Sequence, residues 1–289
     1  MIYCKLLLTA VFWGGTFIAG RSLAGSVDPF AAAFLRFVTA SVFLVILTVR
    51  REGSAALPRP NQILPILMLG ATGVFAYNIS FFKGLQLIEA GRASVIIANN
   101  PVFIAIFSAL IFRERLGWLR SCGVVLSVCG AIVAISKGNL SLLSGDSVGW
   151  GEFFILCCVA SWVTFSLLRK TVMDHLSPLV SVTHSAVAGV LLLAVPAWSH
   201  GVFSACRHYS LSDWTAIFYL GFFGTVLGFV WYYEGIEKIG PTRAGLFINF
   251  VPISAIAMAW GILGEPVTWS LLFGLLLVTT GVYLTNKKA

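Results

Sequence analysis

The chain has 289 residues, of which 58% are hydrophobic and only 10% charged, with a mean hydropathy of +0.94 and a formal net charge of +8. A water-soluble domain of this length would expose far more polar surface, so the composition excludes one, whereas about 20 apolar residues suffice to carry a helix across a bilayer. Period-two alternation is absent, which excludes a membrane barrel and leaves an all-α membrane protein.

Taken in chain order, apolar segments predict ten spans near residues 5–24, 30–49, 62–83, 92–111, 119–137, 150–168, 177–199, 213–233, 242–262 and 268–286. Even the longest connections, Arg50 to Asn61 and Ser199 to Ser212, are too short to hold a soluble domain, so the function resides in the bilayer or at its faces. Thirteen Lys and Arg residues fall on the N-terminal side of the membrane, among them Arg50, Arg51, Arg113, Arg115, Arg120, Arg169, Lys170, Lys287 and Lys288. Five fall on the other side: Arg21, Lys83, Arg92, Lys137 and Arg207. This asymmetry predicts that both termini are cytoplasmic, and the expected location is the cell membrane, of the bacterial inner-membrane kind. The positive charge is explained by topology and anionic lipid, with no nucleic-acid partner required. Lys5 followed by an apolar run and the SLAG stretch at Ser22 to Gly25 imitate a secretory signal, but an internal repeat makes the first span part of the fold.

That repeat appears at an offset of 151: Gly70, Gly73, Gly84, Arg92, Pro101, Glu114, Trp118, Gly123 and Gly130 fall on Gly221, Gly224, Gly235, Arg243, Pro252, Glu265, Trp269, Gly274 and Gly281. At an offset of 149, Trp13 falls on Trp162, Arg21 on Lys170 and Pro29 on Pro178. The halves, residues 1–137 and 150–286, hold five spans each. An odd number reverses the second half, giving two inverted five-helix repeats, an architecture of secondary transporters with the substrate site where the halves meet.

The motif WGxxF in the first span (Trp13 to Phe17), LRF in the second (Leu35 to Phe37) and the twice-repeated P-x(12)-E-x(3)-W pattern starting at Pro101 and Pro252 resemble the EamA-type drug/metabolite transporters over essentially the whole chain. The resemblance implies ten helices in a five-plus-five inverted repeat, substrates among amino acids, metabolites or drugs, and export. The second half departs from WGxxF, with Val163 following Trp162, so the halves need not contribute equally.

Mid-membrane polar and aromatic residues are the candidates for a site. In VIIANNPVFIAIF, Val95 to Phe107, two amides interrupt a hydrocarbon run, and a buried amide without a partner costs roughly 2–7 kcal/mol. Pro101 and Pro252 loosen the fourth and ninth spans, and such backbone is tolerated only where protein or a wet cavity surrounds it. Asn99 shares a helical face with Arg92, Ile96 and Phe103 and is assigned to the substrate. Asn100 is assigned to the loosened backbone at Pro101. Trp13, Phe17, Tyr77, Phe81, Trp162, Tyr232, Phe247 and Asn249 complete the expected lining, a pocket of rings with a few polar groups that suits a moderately hydrophobic small molecule.

Arg36 is expected to snorkel outward or meet a carbonyl, and Glu114 and Glu265 to interact with positive helix ends. His184 is the one titratable side chain deep enough to suggest a proton relay. The expected function is carriage of a small organic metabolite, an aromatic or branched amino acid favoured, outward by alternating access. A multidrug or cation exporter, a channel and a structural membrane protein stay open. The six cysteines form no CxxC, and nucleophile-elbow, HExxH and phosphate-loop patterns are missing, so no metal site, cofactor or enzyme is expected. The expected partners are the substrate and the lipid bilayer. Glycines spaced by seven in the fifth and tenth spans leave room for close helix packing or a homodimer.

Overall fold

A computed structural model describes residues 1–53, 57–113, 116–138, 149–172 and 177–287, without the side chains of residues 170–172 and 242. Among the described residues it is helical throughout, with ten spans: Ile2–Gly25, Pro29–Glu52, Pro60–Leu87, Ala90–Phe112, Trp118–Ile135, Trp150–Arg169, Pro178–Ser199, Leu211–Ile239, Arg243–Leu263 and Trp269–Asn286, numbered here 1 to 10. Local sequence signals start several of them. The Asp28 carboxylate accepts from the backbone N–H of Phe30 and Ala31 ahead of Pro29, and Ser177 caps the repeat-equivalent span 7 ahead of Pro178. Ser210 and Asp213 form a reciprocal capping box at span 8.

Helix pairing obeys the repeat. Span 5 packs along span 10, span 2 on span 7 and span 4 on span 9, while the contacts of span 1 with spans 8 and 9 are mirrored by those of span 6 with spans 3 and 4. The first span is an integral part of this core, with Leu6, Ala10 and Phe17 buried. Spans 5 and 10 meet through their glycines: a Cβ on Gly130 would lie 2.7 Å from the Gly274 carbonyl oxygen, and one on Gly281 only 2.5 Å from the Ser127 nitrogen. The glycine stripe is therefore filled from within the chain.

Spans 3 and 8 run longer than the sequence suggested. Span 3 passes the expected stop at Lys83 because the ammonium lies over the rings of Phe30 and Phe154, 5.3 and 5.5 Å from their centroids. Both spans also contain π-helical segments, Gly70–Ala76 and Tyr219–Leu227, at repeat-equivalent positions. Their glycines admit close neighbours: a Cβ at Gly70 would meet the backbone of span 7, and one at Gly221 would lie 2.8 Å from the Arg36 carbonyl oxygen of span 2. Such π segments are common at functional sites in helices.

Spans 4 and 9 are interrupted where their prolines predict. Span 4 is helical over Ala90–Ile97, turns at Ala98 and Asn99, and resumes over Asn100–Phe112. Span 9 has a 3-10 stretch, Phe247–Asn249, before its helix Phe250–Leu263. In each case the proline stands near the start of the resumed helix, where its missing N–H costs least.

Candidate functional site

Rings from both halves form a continuous chain through the middle of the bundle. Trp13 of span 1 lies 5.2 Å from Tyr232 and 5.6 Å from Phe229 of span 8, centroid to centroid. Phe229 leads on to Trp162 of span 6 at 6.2 Å, and Trp162 to Tyr77 of span 3 at 5.4 Å. Tyr77 stacks 6.0 Å from Phe81, which meets Phe17 at 5.3 Å. Trp13 is fixed by its indole N–H donating to the Gly224 carbonyl in the span 8 π segment, at 3.0 Å. The approach requires Gly228, because a Cβ there would stand 2.5 Å from the same indole nitrogen. Phe17 and Phe81 are fully packed, whereas Trp13, Tyr77, Trp162, Phe229 and Tyr232 are half-buried although each is flanked by several spans.

Six expected lining residues, Trp13, Phe17, Tyr77, Phe81, Trp162 and Tyr232, are thus brought together. Phe247 is not: it packs on Tyr3 and Phe250, at the far end of span 1 from Phe17, and Asn249 ends the 3-10 stretch just before the resumed helix of span 9. Phe229, the link between the halves, escaped sequence reasoning. The repeat holds the signal only obliquely, since it pairs Phe229 with Asn78, a residue of another type.

Beside the rings lies a polar centre. Arg36 is 8% exposed, seven residues inside span 2 and hence about 10 Å below its end. It does not snorkel, and the carbonyl it meets is a side-chain one from another span. Its Nη1 donates to Asn78 Oδ1 at 2.9 Å, while Nε and Nη2 both donate to Thr225 Oγ1 at 3.3 Å. The π segments aim these acceptors: the Asn78 amide donates to the Val74 carbonyl and the Thr225 hydroxyl to the Leu220 carbonyl, five residues back. The repeat places Ser185 opposite Arg36, so the charge of this centre comes from the first half only, while Thr225 is supplied by the second.

The adjacent amides depart from the expected assignment. Asn99 is 1% exposed, donates to the carbonyls of Val95 and Ile96 at 3.1 and 3.3 Å, and accepts from the Ser127 hydroxyl at 2.6 Å. The tight turn at Ala98 and Asn99 takes it off the register of Arg92 and Ile96 and points it toward span 5. Asn99 does the work expected of Asn100 at the backbone loosened by Pro101. The Asn100 Oδ1 atom is buried without a hydrogen-bond partner among the described residues. His184 Nε2 is buried and unpartnered as well.

Charged pairs close the two ends. On the side of the N-terminus, Glu234 of span 8 holds Lys5 of span 1 at 2.6 Å and Arg51 of span 2 at 3.5 Å, and Arg169 donates to the Tyr233 hydroxyl. On the opposite side, Arg92 bridges Glu152 at 2.9 Å and Glu89 at 3.1 Å. Gly264, at φ +68°, turns the chain after span 9 so that Glu265 accepts from the N–H groups of Ala90 and Gly91 at 2.8 and 3.0 Å, at the positive end of span 4. Glu114 lies outside the described residues.

Two inverted five-helix repeats with an aromatic and polar centre between them define a helical membrane transporter. A solved crystal structure with the same fold aligns at a TM-score of 0.68, 18% identity, over 98% of this chain and 97% of its own. The model of the EamA-like transporter family matches residues 1–136 and 149–287, and the chain belongs to that family. It is similar to the uncharacterized transporter YyaM of Bacillus subtilis, 26% identical over 97% of this chain and 92% of the relative. Similar too is the uncharacterized inner membrane transporter YedA of Escherichia coli K12, 28% identical over 99% and 93%. A plant relative, the chloroplastic WAT1-related protein At3g02690 of Arabidopsis thaliana, is 25% identical over 95% of this chain and 67% of its own.

Proposed function

We propose that this transporter carries a small organic metabolite, an amino acid with an aromatic or branched side chain favoured, out of the cell by alternating access. The observation that supports this reading is the row of half-buried rings between the halves: apolar walls in the membrane interior suit a moderately hydrophobic side chain. The charged pairs at the two ends fit access gates that open in turn, Lys5, Arg51 and Glu234 on one side and Arg92, Glu89 and Glu152 on the other. The excess of Lys and Arg on the terminal side supports cytoplasmic termini in an inner membrane of the bacterial kind. The partners in this reading are the substrate and the bilayer, with no catalytic step.

The test is counterflow in proteoliposomes preloaded with unlabelled leucine, tryptophan or phenylalanine. Transient saturable accumulation of the labelled amino acid is the expected result. Flux that does not saturate would make the protein a channel, and conversion of the substrate would make it an enzyme. Exchange of cationic drugs without exchange of any amino acid would replace the substrate class.

A further inference from the structure

Among the described residues Arg36 carries the one charge placed deep between the repeats, and its partners are neutral. Asn78 and Thr225 offer dipoles, and no ion pair forms at Arg36 among the described residues. The acidic side chains described lie within the first or last two turns of the spans or beyond them, where Asp28, Glu89, Glu152, Asp213, Glu234 and Glu265 already have partners. An unpaired charge in such surroundings costs several kcal/mol, and ionisable groups inside membrane spans mark substrate pathways.

The site is built and its polarity is fixed. The Thr225 hydroxyl hydrogen is engaged by the Leu220 carbonyl, so its oxygen accepts from the guanidinium. The Asn78 amide nitrogen is engaged by Val74, so its Oδ1 faces the same cation. Three of the five guanidinium N–H groups are used, which leaves one on each terminal nitrogen. Such a fork matches the two oxygens of a carboxylate. Tyr77, next to Asn78 in span 3, belongs to the ring chain, so cation and apolar wall adjoin.

We propose that Arg36 binds the carboxylate of the substrate, so that the carrier accepts acids and rejects the matching esters and amines. The assignment rests on the carrier reading above and gives the buried guanidinium its missing counter-charge. No carboxylate stands ready for an α-ammonium group beside it, so acids without that group bind too.

The experiment is thermal stabilisation of the purified full-length protein by matched sets. These are tryptophan, its methyl ester, tryptamine and indole-3-propionate, and the same four forms of leucine, each titrated on wild type, Arg36→Lys, Arg36→Gln and Asn78→Ala. In wild type the acids should bind roughly 10- to 100-fold more tightly than their esters and amines, the range for lost hydrogen bonds to a charged group. Arg36→Gln should abolish that preference, Arg36→Lys should keep part of it, and Asn78→Ala should weaken it. Esters or amines binding as well as acids in wild type, or an acid preference surviving in Arg36→Gln, would overturn the assignment, as would no binding by any acid. If Arg36→Gln does not fold, the wild-type comparison and Arg36→Lys still decide. Acids that bind through Arg36 but fail to exchange across liposomes would sink the carrier reading and leave the carboxylate site standing. Indole-3-propionate binding without tryptophan binding would remove only the amino-acid class.

Discussion

Replacing Asn99 by alanine separates a scaffold amide from a ligand contact. The substitution removes the bonds to the Val95 and Ile96 carbonyls and strands the Ser127 hydroxyl, whose residue is 0% exposed. At about 0.6 kcal/mol per bond, the average for bonds between membrane helices, three bonds amount to about 2 kcal/mol. At the upper end for protein interiors they reach about 4.5 kcal/mol. For a chain of this size that is a fall in melting temperature of roughly 5–10 °C. Thermal unfolding of the detergent-purified variant measures it, with ligand titrations on the surviving fold. A double-mutant cycle with Ser127→Ala should return a coupling of about 1 kcal/mol, because the two side chains share one bond. A variant that melts within a degree or two of wild type but binds its ligand many-fold more weakly would refute the scaffold role and restore the assignment drawn from the helical face.

Gly130→Leu and Gly281→Ala should each cost about 1–3 kcal/mol by forcing spans 5 and 10 apart, with affinity unchanged in the folded fraction. Altered affinity at full stability would show that this helix pair shapes the site. Glu265→Gln should lower stability by about 1 kcal/mol, read by thermal unfolding, because the carboxylate at the N-terminus of span 4 keeps its shape but loses its charge. An unchanged melting temperature would mean that the dipole interaction is screened. Cys206 lies between spans 7 and 8 on the side away from the termini, and burial raises its thiol above the ordinary range. An impermeant maleimide should label it on intact cells, faster as pH rises and the thiolate forms, and Cys206→Ser should lose that label. Labelling only after permeabilisation would reverse the orientation.

The rings were partly legible because the repeat lifts Trp13 and Trp162 out of an otherwise aromatic-rich chain and sets Phe81 on Tyr232 at the longer offset. Phe247 was expected in the lining, but the path of span 9 takes it to Tyr3. Asn99 took the scaffold role expected of Asn100 for a local reason. Two neighbours about 100° apart on an ideal helix are distinguished by which neighbouring span each one faces, and a tightened turn before Pro101 rotates that choice. The π segments left only a faint trace, Gly70 with Gly73 and Gly221 with Gly224, which marks close packing without stating the hydrogen-bond pattern.

What the sequence by itself determined is the solvent and the topology. Apolar length requires ten spans, the repeat reverses the second half, and the caps Asp28-Pro29 and Ser177-Pro178 set helix starts, because each of these is a property of one segment and its surroundings in lipid or water. What only the tertiary structure decided is which distant residues the buried polar groups at the centre and at the helix ends meet. Arg36 meets Asn78 and Thr225, 42 and 189 residues away, and Glu265 meets Ala90, 175 residues away. In hydrocarbon an unmatched dipole or charge is costly, so such groups are paired across helices, and the sequence shows the need without showing which helix answers it.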